Sequence, residues 1–135
     1  MSKSLLDTDI LSNIMRNNPS VTAKAQNYLS IHSKFTISII TRYEILRGLK
    51  AKLATTQIVN FNKFCLISEI LPISDSIILR ASDIYADLYR KGLLISDADI
   101  LIASSALEYS LTIVTNNESH FSRIHGLTIE NWLKP

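Results

Sequence analysis

The chain has 135 residues, of which 47% are hydrophobic and 19% are charged, and its net charge is +2 at pH 7. This length suits one domain with a sizeable core, so we expect residues 1–135 to form a single domain. No apolar run approaches the roughly 18 residues that a membrane span needs. One cysteine, Cys65, excludes an internal disulfide and a cysteine-based zinc site, and the three scattered glycines exclude a phosphate-cradling loop.

Strands alternate with helices in the N-terminal half of the chain. In chain order, we expect a strand at 5–6, helices at 9–15 and 19–31, a strand at 35–39, helices at 41–50 and 55–68, and a strand at 69–73. The strand at 35–39 is β-branched and alternates with a period of two. Pro19 suits the first turn of its helix, and Pro72 suits the edge or the end of its strand.

The same alternation continues to the C-terminus. We expect helices at 75–90 and 97–109, followed by strands at 111–115 and 127–129. The first of these helices is amphipathic, and Gly92 is well placed to end it. The second is apolar nearly all round, which indicates a buried helix. Alternating strands and helices predict a parallel sheet covered on both faces. Asp7 stands where a signal peptide would need an apolar stretch, so we expect a cytoplasmic protein.

Carboxylates follow three apolar runs and belong to Asp7, Glu44 and Asp99. Sites in parallel sheets form at the carboxyl ends of the strands. Asp7 lies at one such end and Asn116-Asn117 at another, while Glu44 and Asp99 lie on helices that can face the same edge. An unpaired buried carboxylate costs several kcal/mol. If these acids meet, they indicate a divalent cation and an enzyme that acts on phosphate.

Each acid also has a simpler interpretation. Asp9 precedes a helix and suits an N-cap. Ser96 and Asp99 form the pattern of a capping box, and Asp97 favours the positive end of the same helix. Glu44 alone would be read as a solvated helical residue, although its apolar neighbours indicate partial burial. The sequence leaves both readings of these residues open.

A basic cluster surrounds Glu44 and consists of Arg42, Arg47, Lys50 and Lys52. It is either a solvated helix face with ion pairs or a set of phosphate-backbone contacts beside the metal site. The histidines His32, His120 and His125 are scattered, so we interpret them as surface or structural residues. Their spacing argues against histidine-based ribonuclease chemistry.

Four segments resemble, in order, the four motifs of PIN-domain ribonucleases. They are residues 5–10 (LLDTDI), 39–48 (IITRYEILRG), 99–103 (DILIA) and 113–117 (IVTNN) with Phe121. Residues 121–132 (FSRIHGLTIENW) look like the tail of the VapC-type toxins of toxin–antitoxin pairs. The resemblance spans the whole chain, and four motifs in this order at this length are specific.

The resemblance implies a three-layer α/β/α sandwich on a mostly parallel sheet. It implies metal binding by Asp7, Glu44 and Asp99, with Asn117 as a fourth catalytic position where many members of the family carry an acid. Asp9 and Asp97 would then support the ligands. The candidate substrate-binding residues are Arg42, Arg47, Lys50 and Thr115.

The implied chemistry is RNA cleavage by a water that a bound ion activates, and the hard oxygen ligands suit Mg²⁺ or Mn²⁺. The resemblance also implies an antitoxin partner and a homodimer. Two alternatives remain at this point. Residues 5–9 also match the nucleophile motif of haloacid-dehalogenase phosphatases, and Asn117 would suit a PIN-like interaction module that has lost catalysis.

Overall fold

The protein is described from a computed structural model that covers residues 1–135. Five strands alternate with seven helices along the chain. The elements are β1 (Ser4–Leu6), α1 (Thr8–Met15), α2 (Pro19–His32), β2 (Thr36–Ser38), α3 (Ile39–Ala51), α4 (Thr55–Leu66), β3 (Glu69–Leu71), α5 (Asp75–Lys91), α6 (Asp97–Glu108), β4 (Thr112–Val114), α7 (Glu118–Phe121) and β5 (Ile129–Glu130).

The strands form one sheet in the order β3-β2-β1-β4-β5, and every neighbouring pair is parallel. β1 lies at the centre and pairs with β4 in a register that sets Leu6 opposite Val114. The residues that follow these two strands therefore leave the same edge of the sheet side by side. This edge holds Asp7 and Thr115.

Helices cover both faces of the sheet. Successive strand residues point to opposite faces, and apolar residues on each face need a layer of helices to bury them. Leu5 and Ile113 face a core that α5 and α6 complete, whereas Leu6 and Val114 face a core that α1 to α4 complete. Both cores consist of fully buried or nearly buried aliphatic and aromatic side chains. The expected three-layer α/β/α sandwich is confirmed.

Several boundaries differ from the sequence prediction by one or two residues, and the end of β2 has a clear local reason. The strand expected at 35–39 ends at Ser38, whose hydroxyl accepts a hydrogen bond from the Ile40 backbone N–H at 3.0 Å. Ser38 is thus the N-cap of α3, and Ile39-Ile40 form its first turn although β-branched residues favour strands. The last strand begins at Ile129, two residues after the expected start.

Three sequence predictions outside the site agree with the structure. Pro19 lies in the first turn of α2, and Gly92 ends α5 in the left-handed region with φ of +68°. Cys65 is buried in the core as a small apolar side chain. The short helix α7 was not predicted. None of the helices combines the length and the apolar composition that crossing a bilayer requires.

Candidate active site

Asp7 is buried at the edge where β1 ends, with only 5% of its surface exposed. Its backbone N–H continues the sheet by donating to the Val114 carbonyl at 2.9 Å. Its Oδ1 accepts from the Thr8 N–H and its Oδ2 accepts from the Thr115 hydroxyl, each at 2.8 Å. Asp7 is thus a buried carboxylate, and both of its oxygens have fixed positions.

The pKa of Asp7 is raised from 3.8 to about 7. Burial is the largest cause, and the nearby charges of Asp9 and Asp99 add to it, whereas the hydrogen bonds from Thr115 and Thr8 lower the pKa. Burial likewise raises the pKa of Asp9. Three carboxylates therefore repel one another at this edge, and none of the ion pairs in the structure neutralises Asp7.

Asp99 lies in the first turn of α6, and 17% of its side chain is exposed. Ser96 is the N-cap of this helix, because its hydroxyl accepts from the Asp99 backbone N–H at 3.2 Å. The carboxylate of Asp99 is directed elsewhere: Oδ2 lies 3.3 Å from the Nδ1 atom of His120. Ser96 is thus a true cap, while the Asp99 side chain belongs to the acidic edge.

Glu44 reaches the edge from α3 and is 20% exposed, in agreement with the expected partial burial. Its Oε1 accepts from the Thr8 hydroxyl at 2.7 Å, so Glu44 is joined to the residue directly after Asp7. The same hydroxyl lies 3.2 Å from the hydroxyl of the buried Thr41. Arg47, one turn further along α3, approaches the other oxygen of Glu44 at 3.6 Å.

Asn117 stands beside this edge at the start of α7. Its side-chain Nδ2 lies 2.8 Å from Nδ1 of His120, and its backbone N–H donates to the Thr115 hydroxyl at 2.9 Å. The preceding Asn116 N–H donates to the Asp9 carboxylate at 3.0 Å. Asp9 therefore fixes the loop after β4, and Asn117 is connected to Asp7 through Thr115.

Thr115 is fully buried. Its hydroxyl donates to Asp7 and accepts from the Asn117 N–H, so its visible role is to hold Asp7 rather than to meet a substrate. Asp97, by contrast, is exposed at the start of α6. Of the two spare acids, only Asp9 raises the pKa of Asp7 through its charge.

The basic cluster lies along α3 and has partners of its own. Arg42 donates to the side-chain oxygen of Asn62 at 3.1 Å, and Arg47 stacks on the ring of Tyr43 as well as approaching Glu44. Lys50 is exposed. Arg47 is the member of the cluster that contacts a candidate site residue.

A groove of about 600 Å³ opens beside the acidic edge, between α1, α3 and α4. Thr8 and Glu44 form one end, and Arg16 and Lys52 add positive charge to its lining. Asp7 and Asp99 do not line it. The groove therefore adjoins the edge without containing it.

His120 was interpreted from the sequence as a surface or structural residue, and that interpretation missed its place at the edge. The histidine contacts both Asp99 and Asn117. No spacing between histidines could have shown this, because its partners are an acid and an amide. The signal lay in Asn117-Glu118, an asparagine followed by an acid, which suits the start of a short helix.

The donor set suits a hard divalent cation, since it consists of carboxylate oxygens. Burial first, and repulsion by Asp9 and Asp99 second, raise the pKa of Asp7 and so favour a cation beside it. In this arrangement, no three carboxylate, imidazole or thiol groups converge tightly enough to enclose a metal ion. Asp7, Asp9 and Asp99 are close enough for their charges to act on one another, and Glu44 is joined to the residue after Asp7 through the Thr8 hydroxyl. A phosphatase of the haloacid-dehalogenase type would need a lysine at Asp7, and no lysine pairs with it.

Comparison with known proteins agrees with this geometry. The family model described as the PIN domain matches residues 4–127. Ribonuclease VapC2 of Rickettsia felis is 31% identical over 96% of this chain and 98% of its own length. A tRNA(fMet)-specific endonuclease VapC of Salmonella typhimurium is 32% identical over 98% of this chain and 99% of its own.

A solved structure extends the likeness to the whole fold. The DNA-bound VapBC from Salmonella typhimurium superposes with a TM-score of 0.86 at 32% identity, covering 98% of this chain and 99% of that one. This chain belongs to the PIN-domain family and, within it, to the VapC-type ribonuclease toxins. The resemblance carried by the four motifs is thereby confirmed.

Proposed function

We propose that this protein is an endoribonuclease that depends on Mg²⁺ or Mn²⁺ and that a cognate antitoxin holds inactive. One observation carries the proposal. Asp7 is a buried carboxylate with neutral hydrogen-bond donors only, and it repels Asp9 and Asp99 at the same edge. Such a group calls for a cation that the protein itself does not supply.

Asp7 and Asp99 would hold the ion, with Glu44 as a third acid beside them. A bound divalent ion supplies charge that offsets the developing negative charge on phosphate, and it lowers the pKa of a water molecule for attack. Thr8 N–H and Thr115 fix the two oxygens of Asp7, and the Thr8 hydroxyl fixes one oxygen of Glu44. These contacts pre-organise the acids, which reduces the cost of ordering them at the reacting centre.

Asn117 takes the fourth position through its amide, which carries no negative charge. It contributes less to cation affinity than an acid would, and it supplies a hydrogen-bonding group next to Asp99 through His120. Asp9 supports the loop that carries Asn117.

RNA is the proposed substrate class, in keeping with the names of the relatives. The relative from Salmonella typhimurium is called a tRNA(fMet)-specific endonuclease, so initiator tRNA is the first substrate to test. Arg47, Lys50 and Arg42 on α3 are proposed to contact the phosphate backbone flanking the site. Each such contact makes binding weaker as salt concentration rises.

The proposed antitoxin partner follows from the VapBC complexes that this chain resembles. The molecule carries a net charge of +2, but its acidic edge is locally negative. A partner that covers this edge would therefore present positive charge to it. A homodimer remains part of the proposal. Light scattering of the purified chain, alone and with the antitoxin, measures both assemblies.

The direct test is cleavage of total RNA and of initiator tRNA by the purified protein. We expect cleavage with Mg²⁺ or Mn²⁺, products with 5′-phosphate and 3′-hydroxyl ends, and no cleavage in excess EDTA. Asp7→Asn and Asp99→Asn should each reduce kcat at least about 100-fold, because each removes a charge that holds the cation. Addition of the antitoxin should stop the reaction.

Circular dichroism provides the control, since both variants should keep the far-ultraviolet spectrum of the wild type. Full activity in EDTA would refute the metal dependence. A phosphorylated aspartate trapped at Asp7 would favour the phosphatase alternative. A folded protein that binds neither metal nor RNA would favour the interaction module.

A further inference from the structure

His120 lies between the candidate acid Asp99 and the amide of Asn117. Its Nδ1 atom is 3.3 Å from Oδ2 of Asp99 and 2.8 Å from Nδ2 of Asn117. A ring nitrogen serves one hydrogen bond along its lone-pair direction, so Nδ1 either accepts from Asn117 or, when it carries hydrogen, donates to Asp99. In the form whose Nδ1 carries hydrogen the imidazole holds the Asp99 carboxylate, and in the other form it holds the Asn117 amide.

The helix that carries His120 is anchored on both sides of it. On the N-terminal side, Oε2 of Glu118 accepts from the side chain of Asn131 at 3.0 Å and pairs with Lys134 at 2.6 Å. On the C-terminal side, Phe121 is fully buried against the core beside α6. A side chain held in this way by its own short helix loses little further freedom when it orients another group.

The C-terminal segment extends the same support to the loop before α7. The side chain of Asn131 also donates to Oδ1 of Asn116 at 3.1 Å, and the Asn116 N–H donates to Asp9. The loop after β4, the helix α7 and the residues after β5 thus form one hydrogen-bonded unit. His120 is the member of this unit that contacts Asp99.

We propose that His120 is a positioning residue, which orients the Asp99 carboxylate by donating its Nδ1–H to Oδ2. The proposal rests on the nuclease function proposed above, in which Asp99 holds the cation. Groups that hydrogen-bond to metal-binding carboxylates keep those carboxylates in place, and their loss typically costs about 10- to 100-fold in metal affinity or activity. In this chain, His120 lies beside the fourth motif and brings its imidazole to the Asp99 carboxylate.

The test compares His120→Ala with His120→Asn, because the asparagine amide can place a hydrogen-bonding atom near the position of Nδ1. We expect His120→Ala to lower kcat about 10-fold or more with KM changed less than about twofold, since the RNA-binding surface stays intact. Calorimetric titration with MnCl₂ should show a similar loss of affinity. His120→Asn should recover most of both losses.

His125→Ala is the matched control, because His125 is exposed and makes no hydrogen bond with the site. It should leave kcat and Mn²⁺ affinity unchanged. Melting temperatures separate positioning from folding, and His120→Gln, which places its amide further out, replaces His120→Ala if that variant fails to fold. Wild-type kcat and Mn²⁺ affinity in His120→Ala, or in His120→Gln, would overturn the proposal, as would equal defects in His120→Asn and His120→Ala.

The two proposals fail in distinguishable ways. Absence of RNA cleavage by the wild type would refute the nuclease function, and the comparison of Mn²⁺ affinities would still decide whether His120 orients Asp99. Cleavage by the wild type together with an unaffected His120→Ala would refute only the role of His120.

Discussion

The environment of Asp7 opposes its negative charge. Both of its oxygens accept hydrogen bonds from neutral groups. The charged residues that shift its pKa are the acids Asp9 and Asp99, and both raise it. Without a cation, burial favours the protonated, uncharged form of this carboxyl group. Metal binding and proton binding at Asp7 therefore compete.

This competition predicts how stability depends on pH in the metal-free protein. The folded pKa of Asp7, about 7, lies above its ordinary value of 3.8, so protonated Asp7 contributes stability that is complete below pH 3.8 and is lost as pH rises through 7. In EDTA, the contribution of Asp7 to the free energy of unfolding should fall by about 2 kcal/mol between pH 5 and pH 8.

Urea denaturation of the wild type and of Asp7→Asn, at several pH values, measures this contribution as a difference. The difference should change steadily in favour of the variant as pH rises, because asparagine has no proton to lose. A difference that stays constant from pH 5 to pH 8 would show that Asp7 is already ionised at pH 5 in the folded protein.

At the scale of single residues, the sequence predicted that Asp7, Glu44 and Asp99 can face one edge of the sheet, but not which contacts hold them there. Partial burial of Glu44 was expected from its apolar neighbours, and the structure agrees. The hydrogen bond from Thr115 to Asp7 joins residues 108 positions apart, and its existence depends on the pairing of β1 with β4. His120 was missed for the same reason, since its partner Asp99 lies in another element.

At the scale of elements, helix caps decide where the site residues stand. Ser96 begins α6 and thereby fixes the backbone of Asp99, three residues later. Ser74 begins α5 in the same way by accepting from the Ile77 N–H at 3.2 Å, but α5 carries none of the candidate site residues. The two serines form a natural pair for comparison.

Ser96→Ala and Ser74→Ala should each lower the free energy of unfolding by about 1 kcal/mol, because each leaves a helix N–H without its acceptor. Only Ser96→Ala should also reduce RNA cleavage, since the frayed first turn of α6 contains Asp99. Urea denaturation gives the stability, and initial rates of cleavage give the activity. Equal activity in the two variants would mean that the cap does not position Asp99.

The boundaries of elements were predictable where a single strong signal acted. Pro19 marked the start of α2, and Gly92 marked the end of α5. The strand expected at 69–73 ends at Leu71, directly before Pro72. The prediction was wrong where two signals competed, as at Ile39-Ile40, because the N-cap at Ser38 outweighed the strand preference of β-branched side chains. Helix α7 spans only Glu118–Phe121, which is too short for a hydrophobic period to be visible.

At the scale of the whole molecule, the parallel sheet brings the site together. Alternating strands and helices predicted that sheet and the edge at which its strands end. The strand order could not be predicted from the sequence, because it depends on how the helices that connect the strands pack against the two faces of the sheet. With β1 at the centre, Asp7 has neighbours on both sides, Thr8 with Glu44 towards α3 and Thr115 with Asn117 towards α7.

The most direct measurement is the binding of Mn²⁺ to the purified protein, followed by electron paramagnetic resonance. Asp7→Asn and Asp99→Asn should each weaken Mn²⁺ binding about 10-fold or more. Asp97→Asn is the control, since Asp97 is an exposed acid in the same turn of α6 as Asp99, and it should bind Mn²⁺ like the wild type. A wild type that leaves millimolar Mn²⁺ free in solution, or acid variants that bind it as tightly as the wild type does, would contradict a shared cation at Asp7 and Asp99.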